Sequence, residues 1–245
     1  MEHLQPVIII QDLCKAFGSN VVLNGFSLTL YRGENVVVLG KSGSGKSVLI
    51  KCIIGLLPFD SGRIEVLGQD IGNLSHPEMD QLRTRVGFLF QSNALYDSMT
   101  VRENLEFPMR RHRQSLSAGQ QDELVMEVLE SVRLPHTVDM MPSELSGGMR
   151  KRIALARTLI LQPEIILYDE PTTGLDPITS MEIIELIQEI QHKRKASSIM
   201  ISHDLKMARI AADRVVMLID GQCRLSGTYN ETASSTDPQI QAFFA

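Results

Sequence analysis

Gly40, Lys41, Ser42, Gly43, Ser44, Gly45, Lys46 and Ser47 spell GKSGSGKS, a loop of the form G-x-x-x-x-G-K-[ST]. Glycines at Gly40, Gly43 and Gly45 let the backbone curl until its N–H groups point inward, the arrangement that encloses phosphate oxygens. Lys46 adds a point charge for the terminal phosphates, and Ser47 offers a hydroxyl to Mg²⁺. Val48 follows in a helical run, SVLIKCIIGLL, whose positive N-terminal end faces the same anion. Far along the chain, the apolar run EIILYD ends in adjacent carboxylates, Asp169 and Glu170. Successive residues at a strand end point in different directions, so Asp169 can face a metal shell while Glu170 faces an attacking water as general base. Taken alone, such a pair is also what a solvated strand cap looks like. A third segment, ELSGGMRKR, places Ser146, Gly147 and Gly148 ahead of a helix, which makes either an ordinary serine-capped start or a second anion site. One compact lobe cannot close two such helix ends on one nucleotide. The simplest use of the second is to cover a nucleotide held by another copy, with ATP in the interface of a two-fold dimer.

The elements that must position these residues can be read from hydrophobic periodicity. VIIIQDL and VVLNGFSLTL are β-branched strands predicting a small antiparallel sheet, and ENVVVLG is a short apolar strand that feeds the glycine loop. From roughly Ser75 to Leu134 the chain is more polar and predicts a helical insert, with Leu124, Val125, Val128 and Leu129 in helical spacing. After Ser146, helix and strand alternate: MRKRIALARTLIL, EIILYD, ITSMEIIELIQEIQHK, SSIMIS, a short helix after His203, and RVVMLID. That alternation predicts an α/β fold on a parallel sheet. With no internal repeat and no low-complexity linker, the two regions read as lobes of one domain.

Composition narrows the function classes. A chain of 245 residues with 43% hydrophobic and 22% charged residues supports a substantial core. A net charge of −5 argues against nucleic acid as a partner. Met1 to Pro6 lack the basic and apolar regions of a signal peptide, and no apolar run reaches the roughly 20 residues of a spanning helix, so the expectation is a soluble, cytosolic chain. Cys14, Cys52 and Cys223 are far apart and read as small buried hydrophobes rather than a disulfide or metal framework.

GKSGSGKS, LSGGM, ILYDEP, TTGLDP and ISHD stand in the order and at about the spacing that resembles the ABC ATPases, the nucleotide-binding subunits of ABC transporters. The resemblance implies a P-loop NTPase cassette in a single domain: residues 1–90 and 160–245 as a RecA-like parallel-sheet core with an N-terminal antiparallel β-subdomain, and about 91–159 as a helical subdomain carrying the signature motif. It implies that Gln91 reaches Mg²⁺ and the attacking water, that His203 contacts the γ-phosphate, that Asp176 crosses the dimer interface, and that Phe17 stacks on adenine. Family members usually carry tyrosine at the position of Phe17, which keeps the stacking face, and glutamine at that of Met149, where a signature contact changes. Outside these motifs, LFQSNALYDSMTVRENLEFPMR, MPSELSGGM and DPITS resemble the phospholipid-transport ATPases of the Mla type. That resemblance implies ATP and Mg²⁺ as cofactors and a second copy of the chain. It also implies a transmembrane permease, an Mce-type substrate-binding subunit, and a place on the cytoplasmic face of an inner membrane. Leu95, Tyr96, Met99 and Phe107 suit a groove for a permease helix, and core packing accounts for them equally well. An ABC transporter for another small molecule is the alternative. Soluble ABC ATPases of DNA repair or translation usually carry a long coiled-coil insertion or two fused cassettes, and this sequence has neither.

Overall fold

Ile8, Ile10 and Leu13 are buried along the first strand, β1 (Pro6–Phe17), which pairs antiparallel on both sides, with β2 (Asn20–Tyr31) and β4 (Ser61–Val66). With β5 (Gln69–Asp70) these strands form a four-stranded sheet in the order β2-β1-β4-β5. The structure, a computed structural model, describes residues 5–113 and 115–244. Met1 to Leu4, where the lack of a leader was read, lie outside the described residues.

The second sheet positions the chemistry. β3 (Asn35–Leu39), β6 (Val86–Leu89), β7 (Ile165–Asp169), β8 (Ser197–Ser202) and β9 (Arg214–Ile219) run parallel, with β10 (Gln222–Gly227) antiparallel at one edge, in the order β10-β9-β3-β8-β7-β6. Every residue of β7 and β8 is buried, because both faces of the sheet are covered. Alternate side chains divide between two cores. Ile165 and Leu167 join Leu49 and Ile50 of α1 (Lys46–Ile53) and the small antiparallel sheet. Ile166 and Tyr168 point the other way, into the core built by α5 (Gly147–Leu159) and α6 (Pro177–Arg194). Adjacent parallel strands bring their carboxyl ends to one edge, and the residues after β3, β8 and β7 therefore become neighbours there.

The expected helical insert from Ser75 to Leu134 is interrupted by β6, a strand of the parallel sheet paired with β7, on which α2 (His76–Thr84) packs. Four residues of apolar sequence are too few to show a period, so the strand was absorbed into its polar surroundings. Beyond it, α3 (Val101–His112) and α4 (Ala118–Ser131) each open with a capping box, Thr100 with Glu103 and Ser117 with Gln120. Val101, Leu105 and Met109 of α3 and Val125, Val128 and Leu129 of α4 make one buried seam, against which α5 packs. Leu124 is only partly buried on that seam. The same α5 rests on β6 and α6, so helical region and sheet share a continuous core. α7 (Leu205–Ala211), α8 (Tyr229–Ala233) and α9 (Pro238–Phe244) complete the described chain. All three cysteines are free thiols; Cys52 is buried, while Cys14 and Cys223 are only partly so. Among the described residues no helix is long and apolar enough to cross a membrane.

Contact between α5 and the sheet depends on Gly87 in β6. A Cβ added there would lie 2.7 Å from Thr158 Cγ2 and 3.0 Å from Pro163 Cγ. Gly87→Val should therefore push α5 off the sheet, at a cost of roughly 1–3 kcal/mol. Thermal unfolding of the two proteins checks this, and an unchanged melting temperature would mean that α5 yields freely.

Candidate active site

β3 ends at Leu39 and the chain turns through the glycine loop into α1. Gly43 and Gly45 occupy left-handed backbone, at φ 79° and 98°. A Cβ at Gly45 would also lie 2.7 Å from Val22 Cγ1. Gly40 serves differently from the expected curl: its φ is not positive, but a Cβ there would lie 2.5 Å from Ser44 Oγ and 2.8 Å from the Leu218 carbonyl. Close packing, not backbone sign, requires that glycine. Lys41, Ser42 and Gly43 are exposed, and Ser47 and Val48 half-buried. Lys46 is 4% exposed, and its Nζ donates to the carbonyls of Gly40 at 2.8 Å and Lys41 at 3.0 Å. Burial lowers the pKa of this ammonium, and the nearby Glu170 carboxylate opposes the shift.

Asp169 and Glu170 separate as their alternation at the strand end requires. Ser47 Oγ donates to Asp169 Oδ1 at 3.0 Å; burial raises the Asp169 carboxyl above its ordinary range, partly offset by that hydrogen bond. Glu170 has a left-handed φ of 45°, and its N–H donates to the Ile201 carbonyl at 3.1 Å. Strained backbone of this kind in a non-glycine residue persists where the surrounding structure dictates it. Glu170 Oε1 then lies 3.7 Å from Lys46 Nζ and 3.5 Å from His203 Nδ1, while Oε2 accepts from Thr173 Oγ1 at 2.8 Å. Lys46, Ser47, Asp169, Glu170 and His203 are thus brought together by the edge-sharing strands. Thr173 belongs with them and escaped sequence reasoning; its only signal is its place in TTGLDP after the acidic pair.

The residues present suit a magnesium nucleotide. Ser47 and Asp169 supply hard oxygens of the kind Mg²⁺ prefers, and Ser44 Oγ is buried in the loop without a hydrogen-bond partner. No cluster of three or more His, Cys, Asp or Glu side chains that could hold a metal occurs among the described residues, so phosphate oxygens and water would complete the shell.

The other expected residues lie elsewhere. Ser146 caps α5, its Oγ accepting the Met149 N–H at 3.2 Å, and the Met149 side chain packs against the helical core. Gly148 lies under α6, where a Cβ would be 2.7 Å from Thr179 Cγ2. Asp176 caps α6: its Oδ1 accepts the N–H groups of Ile178 and Thr179, and its Oδ2 accepts Thr179 Oγ1 at 2.6 Å. These bonds hold its carboxyl below the usual carboxylate range, the Thr179 hydroxyl contributing most. Ser146, Gly147, Gly148 and Asp176 line one surface recess, apart from the cavity beside the glycine loop. Phe17, 49% exposed at the end of β1, lies under Lys15 Nζ at 5.4 Å from the ring centroid and does not line that cavity either. Gln91 is exposed, and among the described residues it makes no hydrogen bond to Ser47 or Asp169. Its carbonyl accepts Lys151 Nζ at 2.9 Å, a link from α5 that the sequence did not announce. Tyr96 and Phe107 meet as a tilted pair, 4.9 Å between centroids at 54°, and stay exposed, whereas Leu95 packs on the core.

The ABC transporter family profile matches residues 23–173. The intermembrane phospholipid transport system ATP-binding protein MlaF of Haemophilus influenzae is 36% identical over 239 residues, spanning 98% of this chain and 90% of the relative. The probable ribonucleotide transport ATP-binding protein mkl of Mycobacterium tuberculosis is 39% identical over 236 residues, spanning 96% of this chain and 66% of the relative. This chain thus spans just under two thirds of that relative. A solved dimeric ATP-binding cassette in a post-hydrolysis state, bound to ADP and Pi, superposes with a TM-score of 0.82 at 28% identity, covering 91% of this chain and 98% of that one. The chain belongs to the ABC transporter family and is one of its ATPase cassettes.

Lys151 is 2% exposed, and burial pushes its ammonium down to about 8 from the ordinary 10.5, with Asp169 opposing. Between those values the unfolded chain holds more protons than the folded one, so stability rises with pH there, and below about pH 8 the full cost of the buried charge is present. The parent should therefore gain about 1–2 kcal/mol relative to Lys151→Met between about pH 7.5 and 9.5. Parallel urea titrations would show it, and identical pH slopes would mean that Lys151 is well solvated.

Proposed function

We propose that this ABC transporter ATPase subunit powers phospholipid trafficking across a cell envelope, working as a two-fold dimer that closes on ATP and opens after hydrolysis. The observation that carries the cargo is correspondence over 90% of the length of MlaF, a phospholipid-transport protein by name. The chemistry rests on the residues gathered at the edge of the parallel sheet. Lys46, now bonded to two loop carbonyls, turns to the terminal phosphates when they enter, exchanging neutral acceptors for charged ones. Glu170, held by Thr173, takes the proton of the attacking water. His203, beside Glu170, contacts the γ-phosphate and senses its loss. Mg²⁺, held by Ser47 and Asp169 and reached by Gln91, would neutralise charge on the phosphates. The adenine rests against Phe17.

The separation of the LSGG turn from the loop supports the dimer. Ser146 and Gly147 are exposed, with Gly148 half-buried beneath α6 and Asp176 beside them, a surface suited to covering a nucleotide held by another copy. Tyr96 and Phe107 form an exposed aromatic pair near Gln91, suited to a transmembrane permease, with an Mce-type subunit beyond it. The chain would then sit at the cytoplasmic face of an inner membrane, held by the permease. The residue boundaries 1–90, about 91–159 and 160–245 serve as the working division into core and helical lobes. A different cargo is the second reading, favoured by the mycobacterial relative named for ribonucleotide transport.

Glu170→Gln should preserve ATP binding and reduce turnover at least about 10²-fold, with a stable dimer on size-exclusion chromatography in ATP; parental turnover would remove Glu170 from the reaction. Lys46→Ala should weaken ATP binding by about tenfold or more, as read by calorimetric titration. For the cargo, the complex isolated from native membranes in mild detergent should carry a permease, an Mce-type subunit and phospholipid. A different permease with no lipid would leave the ATPase standing and replace the substrate.

A further inference from the structure

Lys151 has had no part in the chemistry so far. It is 2% exposed on α5, and among the described residues the Gln91 carbonyl, at 2.9 Å, is its one hydrogen-bond acceptor. A buried ammonium with a single acceptor is costly. The buried Lys46, by contrast, has two carbonyls and a carboxylate around it. Through space, the carboxylate that favours the charged form of Lys151 is that of Asp169, which itself accepts the Ser47 hydroxyl at 3.0 Å. Lys151 thus stands behind two parts of the site: it bonds the main chain of Gln91 and lies in the field of the carboxylate beside the phosphate loop.

The stretch that Lys151 grips has few other ties. β6 ends at Leu89, and the chain next meets the core at Leu95. Between them, Asn93 and Ala94 occupy left-handed backbone, at φ 64° and 54°. Their N–H groups bond only within the turn, Asn93 to the Phe90 carbonyl at 3.2 Å and Ala94 to that of Ser92 at 2.7 Å. Asn93 Oδ1 is buried without a partner, so that oxygen does not anchor the turn either. Backbone of this kind persists where its surroundings hold it. The Gln91 side chain is exposed at a cleft of about 400 Å³ that Lys151 and Thr173 also line, which leaves it space to turn. A long side chain reaches a fixed point reliably only when its own main chain is fixed.

We propose that Lys151 is a positioning residue for the metal: by fixing the Gln91 main chain it sets the reach of the Gln91 amide to Mg²⁺ at Ser47 and Asp169. This rests on the reading of Gln91 as a residue that reaches the metal. Lys151 touches neither metal nor nucleotide and acts through Gln91.

Mn²⁺, a paramagnetic substitute for Mg²⁺, tests this without turnover. Titration of Mn²⁺ into the full chain with a non-hydrolysable ATP analogue, followed by electron paramagnetic resonance, reads metal affinity; calorimetry of the analogue in EDTA reads nucleotide binding alone. Lys151→Met should weaken Mn²⁺ binding about tenfold and leave the affinity in EDTA unchanged. Lys151→Gln, neutral and shorter but still polar, is the second variant and should show the same loss. Lys151→Arg keeps a cationic donor and should stay within about threefold of the parent. Gln91→Ala should match Lys151→Met, and the double variant should be no weaker than Gln91→Ala, because Lys151 has nothing to act on once that amide is gone. Parental Mn²⁺ affinity in the neutral Lys151 variants beside a weakened Gln91→Ala would overturn the proposal and leave Gln91 at the metal. Additive losses in the double variant would overturn it too, as would an equal loss in EDTA, which would make Lys151 a support of the fold. Parental Mn²⁺ affinity in Gln91→Ala would remove Gln91 from the metal, and the role of Lys151 with it.

Discussion

A lysine ammonium at 4% exposure has to be surrounded by oxygen, and much of the sheet edge is arranged around that requirement. The carbonyls of Gly40 and Lys41 supply two oxygens and Glu170 a third. Meeting them demands left-handed backbone at Gly43 and Gly45, which brings Gly45 hard against Val22 and so ties the loop to the small antiparallel sheet. It demands equally that β7 end beside β8, so that Glu170 can turn back with a positive φ toward the loop. The ammonium is partly compensated and can exchange its neutral partners for phosphate oxygens. A fully paired buried lysine would have no reason to accept an anion.

The second constraint is mechanical. α5 begins at the LSGG turn, packs on the helical region through the seam with α3 and α4, and lies close on β6 at Gly87. Partway along, Lys151 reaches the Gln91 carbonyl. One rigid element thus touches the segment after β6, the start of α6 through Gly148, and the shared core. Displacement of the signature end is passed to the segment at Gln91 through the Lys151 bond and the packed core that α5 shares with the sheet.

Most of the loop chemistry was legible in sequence because its constraints are local. A glycine-lysine-serine spacing between a strand and a helix encodes its own geometry, and EIILYDEP encodes both a buried strand and the divergence of its terminal carboxylates. Contacts between distant segments were not legible. Lys151 reaches the Gln91 carbonyl across the fold with no periodicity to announce it, and the hydroxyl of Thr173, only three residues from Glu170, turns back on that carboxylate in a way no sequence pattern marks. β6 is too short to show a period, β10 carries only two apolar side chains, Cys223 and Leu225, and the last helices are too short for a helical period. Gly40 was legible as a residue but not in its reason, which is the Leu218 carbonyl pressed against it from β9.

Placing the glycine loop and the LSGG turn on separate surfaces of one chain has a genetic consequence for the proposed two-fold dimer. In the proposed dimer each ATP would be enclosed by the loop of one copy and the turn of the other. A chain defective at Lys46 and a chain defective at Ser146, paired together, would concentrate both lesions in a single composite pocket and leave its twin wholly wild-type. Two alleles that are each inactive as homodimers could then complement within one gene, and the extent of rescue would count how many intact pockets the transport cycle requires.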